Sequence, residues 1–387
     1  MKYIKEAITL LITSIWAFLL GFRSLNSKRV IITSTNNVSY NFNSKYLFEY
    51  LSDCEEWKDH EIFFVINDKV KRTALNEYYK NNKFISSADA KGGCFCLRAK
   101  YWISSTFELP VNSLFRNPDR VVLHLGHGVP LKKIGLNEEN ISFIKKINRI
   151  IRTRQFTDII CYSEFLKPSM VKTFASKTAN YLFMGQPRND CFILEKEVAR
   201  KELALIANAS TNCTFILYAP TWRPYSTTKF FPFDCDAHVL NEFLKNNNIY
   251  IFTRSHPFYP STIRNDISAL ENIISFNSDK APEISDFLFA FDSLITDYSS
   301  IYIDYLIADK KVGFIPYDID EYINNVGFCY DYNDFTPGHK ILNYSDFVCF
   351  LKSPHCSYSE QRKKIRSITN TKSTGNNVEI SEYLKTR

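Results

Sequence analysis

The sequence predicts an α/β protein made of two doubly wound halves. Three observations predict this class: strand-like apolar runs alternate with amphipathic segments, the alternation starts again after residues 179–190, and most polar candidate residues directly follow a predicted strand. A chain of 387 residues is also too long for one small core. Because parallel strands end at a common edge of each sheet, we expect a ligand-binding cleft between the two halves.

The order of the predicted elements supports this division. In the first half the predicted strands are 29–35, 61–67, 101–107, 120–126 and 158–163, with helices at 43–53, 138–153 and 165–176. In the second half the predicted strands are 213–222, 248–257, 272–276, 293–299 and 311–317, with helices at 236–247, 281–291 and 300–309. The expected domains are an N-terminal apolar segment at 1–28, Rossmann-like domains at 29–185 and 186–355, and a basic C-terminal tail at 356–387.

The N-terminal segment is the one place where the sequence indicates a membrane. Residues 7–22 are uncharged and apolar, and lysines and arginines flank them on both sides. A helix of this length reaches about 24 Å, short of the ~30 Å hydrocarbon layer. Three interpretations stand: a helix that lies in the membrane interface, a helix packed on the protein body, and a spanning helix or signal peptide.

Composition and the absence of certain motifs limit the kinds of binding partner and exclude some classes of protein. The net charge of +7 fits an anionic partner such as a nucleotide, a phosphorylated substrate or an acidic membrane surface. The ten cysteines are scattered and lack zinc or redox spacing, which favours reduced thiols in a cytosolic protein. The sequence has no phosphate-binding P-loop, no H-E-x-x-H, no G-x-S-x-G and no basic stripe interleaved with aromatics, so a nucleic-acid partner is not expected.

The stretch LHLGHGVPLKKIG, residues 123–135, contains the candidate base. His127 lies between two glycines that permit a tight turn and a close approach of substrate, and an imidazole with a pKa near neutrality suits a general base. The alternative is a strand-end histidine that satisfies only local hydrogen bonds. His124 lies within the strand and is interpreted as structural. Lys132 and Lys133 either steer an anionic substrate or form a solvated pair.

Three further strand ends carry candidate phosphate contacts. Ser299 and Ser300 follow a strand that runs into Asp297 and precede a predicted helix, where they either cap the helix or help to hold an anion. Arg254 and His256 stand in RSHP, where the arginine can grip phosphate oxygens and the histidine can donate to one. Arg223, in YAPTWRP, points either to the same cleft or to the surface.

Taken together, these motifs resemble those of the CDP-glycerol:poly(glycerophosphate) glycerophosphotransferase family of teichoic-acid and capsule synthesis. The resemblance is carried by GHGVPLKKIG, GQPRND, YAPTWR, RSHP, TDYSSIYIDYL, PYDIDEY, Gly327-Phe328 and Thr336-Pro337-Gly338, in the family's order over roughly residues 120–345. Gly126 and Val129 stand where many members have an aromatic residue and a hydroxyl residue.

The resemblance implies a GT-B-like fold, with an acceptor domain at 29–185 and a CDP-donor domain at 186–355. It also implies transfer of a polyol phosphate from a CDP-polyol, glycerol or ribitol, to an acceptor hydroxyl with release of CMP. It implies His127 as the base and His256 on the phosphate charge, with Ser299 and Ser300 holding the pyrophosphate. The donor-binding set is completed by Asp297, Arg254, Arg223, Arg188 and Gly128.

The implied setting is the cytoplasmic face of the plasma membrane, with a lipid-linked saccharide or polyol-phosphate acceptor and no metal or cofactor. The alternatives are a GT-B nucleotide-sugar glycosyltransferase of surface polysaccharide synthesis and a non-catalytic membrane-bound nucleotide-binding protein.

Overall fold

A computed structural model describes residues 2–21, 24–191, 196–256 and 259–387. The strands are β1 Asn26–Thr33, β2 Glu61–Val65, β3 Phe84–Ile85, β4 Ala99–Ser104, β5 Val121–His124, β6 Asp158–Ile160, β7 Asn180–Leu182, β8 Thr214–Tyr218, β9 Thr228–Lys229, β10 Ile249–Thr253, β11 Ser261–Thr262, β12 Ile273–Ser275, β13 Ser293–Thr296, β14 Lys311–Phe314 and β15 His339–Lys340. The helices are α1 Lys2–Gly21, α2 Phe42–Asp53, α3 Lys69–Tyr78, α4 Ala90–Leu97, α5 Phe143–Thr153, α6 Lys167–Phe174, α7 Lys196–Ile206, α8 Ala237–Asn246, α9 Asn265–Ser268, α10 Ile301–Tyr305, α11 Ile319–Asn325, α12 Tyr332–Phe335, α13 Tyr344–Lys352, α14 Ser359–Thr369 and α15 Asn376–Lys385.

Two parallel sheets form the centre of the molecule. In the described part of the chain, the first sheet has seven strands in the order β3-β2-β1-β4-β5-β6-β7, and the second has six in the order β12-β10-β8-β13-β14-β15. Every pairing within both sheets is parallel. The predicted α/β class with doubly wound parallel sheets is therefore confirmed, and a short parallel pair, β9 with β11, lies beside the second sheet.

The central strands form because their residues are apolar on both faces. β5 and β13 are buried at every position, as strands covered by helices on both sides must be. Each then stops at a polar turn, β5 before Gly126 and β13 before Asp297. The candidate residues consequently lie where the strands end.

One predicted helix of the second half is wrong, and another is helical but partly of the 3₁₀ type. Residues 281–291 contain two short 3₁₀ turns, Ile284–Asp286 and Leu288–Ala290. The apolar residues 287–291 are all buried, so they leave no polar face for an amphipathic helix. The helix expected at 300–309 is α10, which has five residues and passes into a 3₁₀ turn at Leu306–Ala308.

The C-terminal residues, expected as a basic tail, fold as helices α14 and α15. Helix α14 packs on the second domain, where the buried Arg362 forms an ion pair with Asp309 at 2.8 Å. Helix α15 packs back on the first domain, where Trp57 Nε1 donates to Ser381 Oγ at 2.7 Å. The chain therefore ends by joining both domains.

The N-terminal apolar segment is helical over Lys2–Gly21, whereas Phe22 and Arg23 lie outside the described residues. Ser14 and Ala17 are buried against the first domain, and the Ser14 hydroxyl accepts a hydrogen bond from the backbone of Leu114 at 2.9 Å. No helix within the described ranges is both long and apolar enough to cross a membrane.

Candidate functional site

The predicted site residues follow β5, β7, β8, β10 and β13, and three of them, Gly128, Arg188 and Ser300, meet across the two domains. Gly128 has a φ of +132°, and a β-carbon at this position would lie 3.2 Å from both Arg188 Nη2 and Ser300 Oγ. The turn after His127 therefore approaches the second domain closely, and any side chain at Gly128 would be both strained and crowded. This close approach defines the centre of the candidate site.

The hydrogen bond made by His127 assigns the proton of its imidazole ring to one nitrogen. Its Nδ1 lies 3.1 Å from the carbonyl oxygen of Ser105, and because a carbonyl can only accept, Nδ1 carries the proton. Nε2 is then the ring atom that can take up a proton. Reduced hydration lowers the pKa of His127, the Ser105 carbonyl raises it, and the charges of Arg188 and Lys132 lower it again. The net lowering keeps the imidazole neutral near pH 7.

Phe42 lies beside His127 and is bonded to Glu283 of the second domain. The ring of Phe42 lies 5.2 Å from the imidazole, and its backbone has a φ of +57°, which is unusual for a bulky residue. The backbone N–H of Phe42 donates to the carboxylate of Glu283 in the second domain at 2.9 Å. Sequence reasoning missed this pair, because residues 241 positions apart leave no local pattern.

His124, two residues before the glycine turn, has a different environment. It is buried among the rings of Phe107, Phe156 and Phe174, at 4.6 to 5.8 Å between centroids. Burial first, and His127 second, lower its pKa well below 6.5. This environment agrees with the structural role expected from the sequence.

His256 lies on the opposite side of the site, beside stacked aromatic rings. The rings of Trp222 and Tyr259 are parallel at 4.0 Å, and His256 lies 6.0 Å and 5.0 Å from them. Burial, Lys132 and Arg254 lower the pKa of His256 to about 4. His256 is therefore neutral near pH 7 and carries one N–H that can donate. Pro257, the last residue of RSHP, lies outside the described residues.

Arg254 is half-buried beside His256, and Nη1 donates to the carbonyl of Phe276 at 3.2 Å. Within the described ranges, it has no carboxylate at ion-pair distance. Its guanidinium therefore keeps donors for an anion.

Arg188 is held in a buried polar network. It forms an ion pair with Asp304 at 2.5 Å, and the Gln186 amide donates to the same carboxylate at 2.6 Å. The Nε of Arg188 is buried and has no hydrogen-bond partner among the described residues. The network orients the guanidinium toward Gly128, and the donor-binding role of Arg188 stays a prediction.

Arg223 and Asp297 are turned toward each other. Arg223 Nη1 lies 2.8 Å from Asp297 Oδ2, and its Nε lies 2.7 Å from Asp318 Oδ2, with the guanidinium side chain fully buried. The ring of Tyr298 covers the guanidinium at 4.7 Å. The ion pair between Arg223 and Asp297 thus joins the loops after β8 and β13. The predicted contact of these two residues with the CDP-polyol stays a prediction.

Ser299 and Ser300 are both half-buried at the start of α10. Ser299 Oγ accepts a hydrogen bond from the backbone of Ile301 at 3.4 Å. Ser300 occupies the cap position, but its hydroxyl makes no capping bond within the described ranges and lies near Gly128 instead. Of the two alternatives for Ser300, the structure therefore favours a hydroxyl that faces the cleft.

The two departures from the family pattern have local explanations. A β-carbon at Gly126 would lie 1.7 Å from the hydroxyl of Tyr162, which donates to the carbonyl of Leu125 at 3.0 Å. Tyr162 therefore fills the space that a side chain at Gly126 would need. Val129 is buried in the core.

Comparisons with known proteins agree with this fold and with the resemblance seen in the sequence. The sequence profile of the CDP-Glycerol:Poly(glycerophosphate) glycerophosphotransferase family matches residues 15–382. A teichoic acid poly(ribitol-phosphate) polymerase of Bacillus spizizenii is 30% identical over 213 residues, which are 54% of this chain and 34% of that protein. A teichoic acid poly(glycerol phosphate) polymerase of the same organism is 25% identical over 351 residues, covering 87% of this chain and 86% of that protein. A solved structure of the wall teichoic acid polymerase TagF has a TM-score of 0.77 and 18% identity, covering 100% of this chain and 96% of that chain.

Fold and site define an α/β protein of two doubly wound domains, with its polar residues gathered in the cleft between the two sheets. The chain belongs to the CDP-Glycerol:Poly(glycerophosphate) glycerophosphotransferase family, since the family profile covers most of its length. The resemblance noted in the sequence is thereby confirmed, and the protein is an enzyme of the teichoic acid polyol-phosphate transferase group.

Proposed function

We propose that the protein transfers glycerol phosphate, or a related polyol phosphate, from CDP-glycerol to an acceptor hydroxyl on a lipid-linked or growing cell-surface glycopolymer. The observation that carries this proposal is His127, whose Nδ1–H bond to Ser105 leaves Nε2 as a proton acceptor, one residue before the glycine that approaches Arg188 and Ser300. The same chemistry fits CDP-ribitol, and both polyols occur in the names of the relatives. The donor supplies the phosphate, and no cofactor is part of the proposal.

The proposed step is a direct displacement. The acceptor hydroxyl gives its proton to His127 Nε2, and its oxygen forms a bond to the β-phosphorus of the donor. The bond from that phosphorus to the bridging oxygen breaks, and CMP leaves with the bridging oxygen and the electron pair. The product is a phosphodiester between acceptor and polyol.

We assign to the remaining candidate residues the role of stabilising the negative charge that develops on the phosphate groups. A neutral His256, with a pKa of about 4, donates one hydrogen bond to a phosphate oxygen. Arg254, which has no carboxylate at ion-pair distance among the residues that the structure describes, supplies a cation, and Ser299 and Ser300 supply hydroxyl groups at the start of α10. These contacts stabilise the leaving CMP and the phosphate in transfer.

The test is turnover with defined donors. The full chain is incubated with CDP-glycerol or CDP-ribitol and with lipid-linked saccharide or polyol-phosphate acceptors, and CMP and product mass are measured. We expect CMP release to depend on the acceptor, and His127→Ala to lower kcat by at least about 10²-fold, the low end for a positioned acid–base group. Near-native transfer by His127→Ala would overturn the base assignment. Release of a nucleoside diphosphate from a nucleotide sugar would overturn the reaction class.

We also propose that the enzyme lies at the cytoplasmic face of the plasma membrane as a peripheral protein. Helix α1 buries one face on the first domain and exposes a row of apolar side chains on the other, namely Ile8, Leu11, Ile12, Ile15, Phe18 and Leu19. Leu114 and Phe115 are exposed beside them, and the rings of Phe18 and Phe115 lie 5.5 Å apart. Such a surface fits a helix that rests in the lipid interface and brings the site to a lipid-linked acceptor.

A further inference from the structure

The loop that follows His127 is tied by its backbone to the opposite domain. Lys132 pairs with Phe328 in an antiparallel bridge, the N–H of Lys133 donates to the carbonyl of Gly327 at 3.1 Å, and the N–H of Cys329 donates to the carbonyl of Leu131 at 2.8 Å. These bonds involve main-chain atoms only. The position of the loop across the cleft is therefore independent of its two lysine side chains.

The two lysine side chains have different surroundings. Lys133 Nζ forms an ion pair with Glu139. Lys132 Nζ is half-buried, lies 5.8 Å from the centre of the Trp222 ring, and has no hydrogen-bond or ion-pair partner within the described ranges. A cation withdrawn from water without a partner is unfavourable unless a ligand supplies the opposite charge.

The ammonium group of Lys132 acts on both candidate histidines. Its charge lowers the pKa of His127 and the pKa of His256, which belong to different domains. Burial lowers the pKa of Lys132 itself to about 8, with Asp297 opposing this shift and Arg223 adding to it. Lys132 Nζ lies 5.8 Å from the centre of the Trp222 ring, and that ring lies 6.0 Å from the His256 ring, so the cation extends from the loop of His127 toward His256.

We propose that Lys132 binds the β-phosphate of the CDP-polyol donor, the phosphate that is transferred. The assignment rests on the proposed function, and it follows from where the cation is held. The attacked phosphorus must lie within reach of an acceptor oxygen bound at His127, and Lys132 projects from the same loop, five residues further on. In the second domain, Ser300 Oγ lies close to Gly128 of this loop, and Arg254 is two residues before His256. Lys132 adds a cation from the first domain to these candidate phosphate contacts.

The test compares CDP with CMP, which lacks the β-phosphate. Affinities of the full-length protein are measured by titration calorimetry for wild type, Lys132→Gln, Lys132→Arg and the neighbouring control Lys133→Gln. We expect Lys132→Gln to weaken CDP binding by about 10- to 100-fold, as loss of a charged hydrogen bond implies, and to change CMP binding less than about threefold. Lys132→Arg retains most of the CDP affinity, and Lys133→Gln behaves as wild type.

The outcomes separate the assignment of Lys132 from the proposed function. The assignment of Lys132 would be overturned if Lys132→Gln bound CDP as tightly as wild type does, or if it lost CDP and CMP affinity equally. The proposed function would still stand in that case, provided that the wild-type enzyme releases CMP. Wild type that binds neither CDP nor CMP and releases no CMP would overturn both. Thermal unfolding of Lys132→Gln checks the fold, and we expect its midpoint close to wild type because the bonds across the cleft use the backbone.

Discussion

At the scale of single residues, the three arginines carried over from the family motifs have three different electrostatic states. Arg223 is fully buried between Asp297 and Asp318, and Arg188 is paired with Asp304. Arg254 has no such carboxylate partner within the described ranges. Since a paired guanidinium has already satisfied its charge, Arg254 is the best placed of the three to bind a phosphate group.

This difference leads to a prediction about stability. Removing Arg223 leaves two buried carboxylates without their cation, so Arg223→Ala is expected to lower the free energy of unfolding by about 3–5 kcal/mol. Arg254→Ala is the matched control and is expected to cost about 1 kcal/mol, because it loses one hydrogen bond to a carbonyl. Urea denaturation measures both. An Arg223→Ala protein as stable as Arg254→Ala would show that the buried cluster contributes little.

At the scale of elements, helix α1 has one face that packs on the first domain and another that exposes apolar side chains. Ala17 and Ser14 pack on the first domain, whereas Leu11 and Ile15 are exposed on the other face. The packed face agrees with the interpretation of 7–22 as a helix that packs on the protein body. The exposed face fits the interpretation as a helix in the membrane interface, which is still a proposal.

The exposed face of α1 can be tested without disturbing the packed one. Leu11→Glu with Ile15→Glu is expected to weaken binding to anionic phospholipid vesicles by at least about tenfold, since two large apolar side chains no longer enter the lipid interface. Cosedimentation with vesicles is the measurement. Val70→Glu changes an exposed apolar residue on α3 instead and is expected to bind as wild type does. If both variants bound vesicles equally well, the proposal that α1 contacts the membrane would be wrong.

At the scale of the whole molecule, the C-terminal helices connect the two domains around Asp190. Its carboxylate accepts from the backbone N–H groups of Asn376 and Asn377, at 3.1 and 2.8 Å, and from both of their side-chain amides. Asp190 belongs to the turn that also carries Arg188. The start of α15 is therefore anchored next to the candidate site.

Loss of this anchor gives a prediction at the same scale. Asp190→Ala is expected to lower the free energy of unfolding by about 2–3 kcal/mol, because buried amide donors lose a charged acceptor. Urea denaturation is the measurement, and Asp59→Ala, at an exposed carboxylate, is the control. If the two variants were equally stable, the bonds to α15 would not contribute to holding the domains.

The arrangement of the site was predictable only in part. The glycines around His127 and the polar residues after β8, β10 and β13 placed the candidates at strand ends, and parallel strands put those ends at one edge. The motifs did not distinguish a buried ion pair such as Arg223 with Asp297 from a cation such as Arg254, which has no carboxylate partner in the part of the chain that the structure describes. That distinction depends on carboxylates that no local pattern connects to them.

By itself, the sequence determined the fold class, the family and the loops that carry the site, because these follow from apolar periodicity, turn chemistry and short motifs. Only the tertiary structure decided which charges are already neutralised and which remain for a ligand. Lys132 and Lys133 show the reason most directly: they are neighbours in the chain, yet Glu139 pairs with one and the other is half-buried in the cleft. Pairing depends on distances in space that a linear pattern does not record.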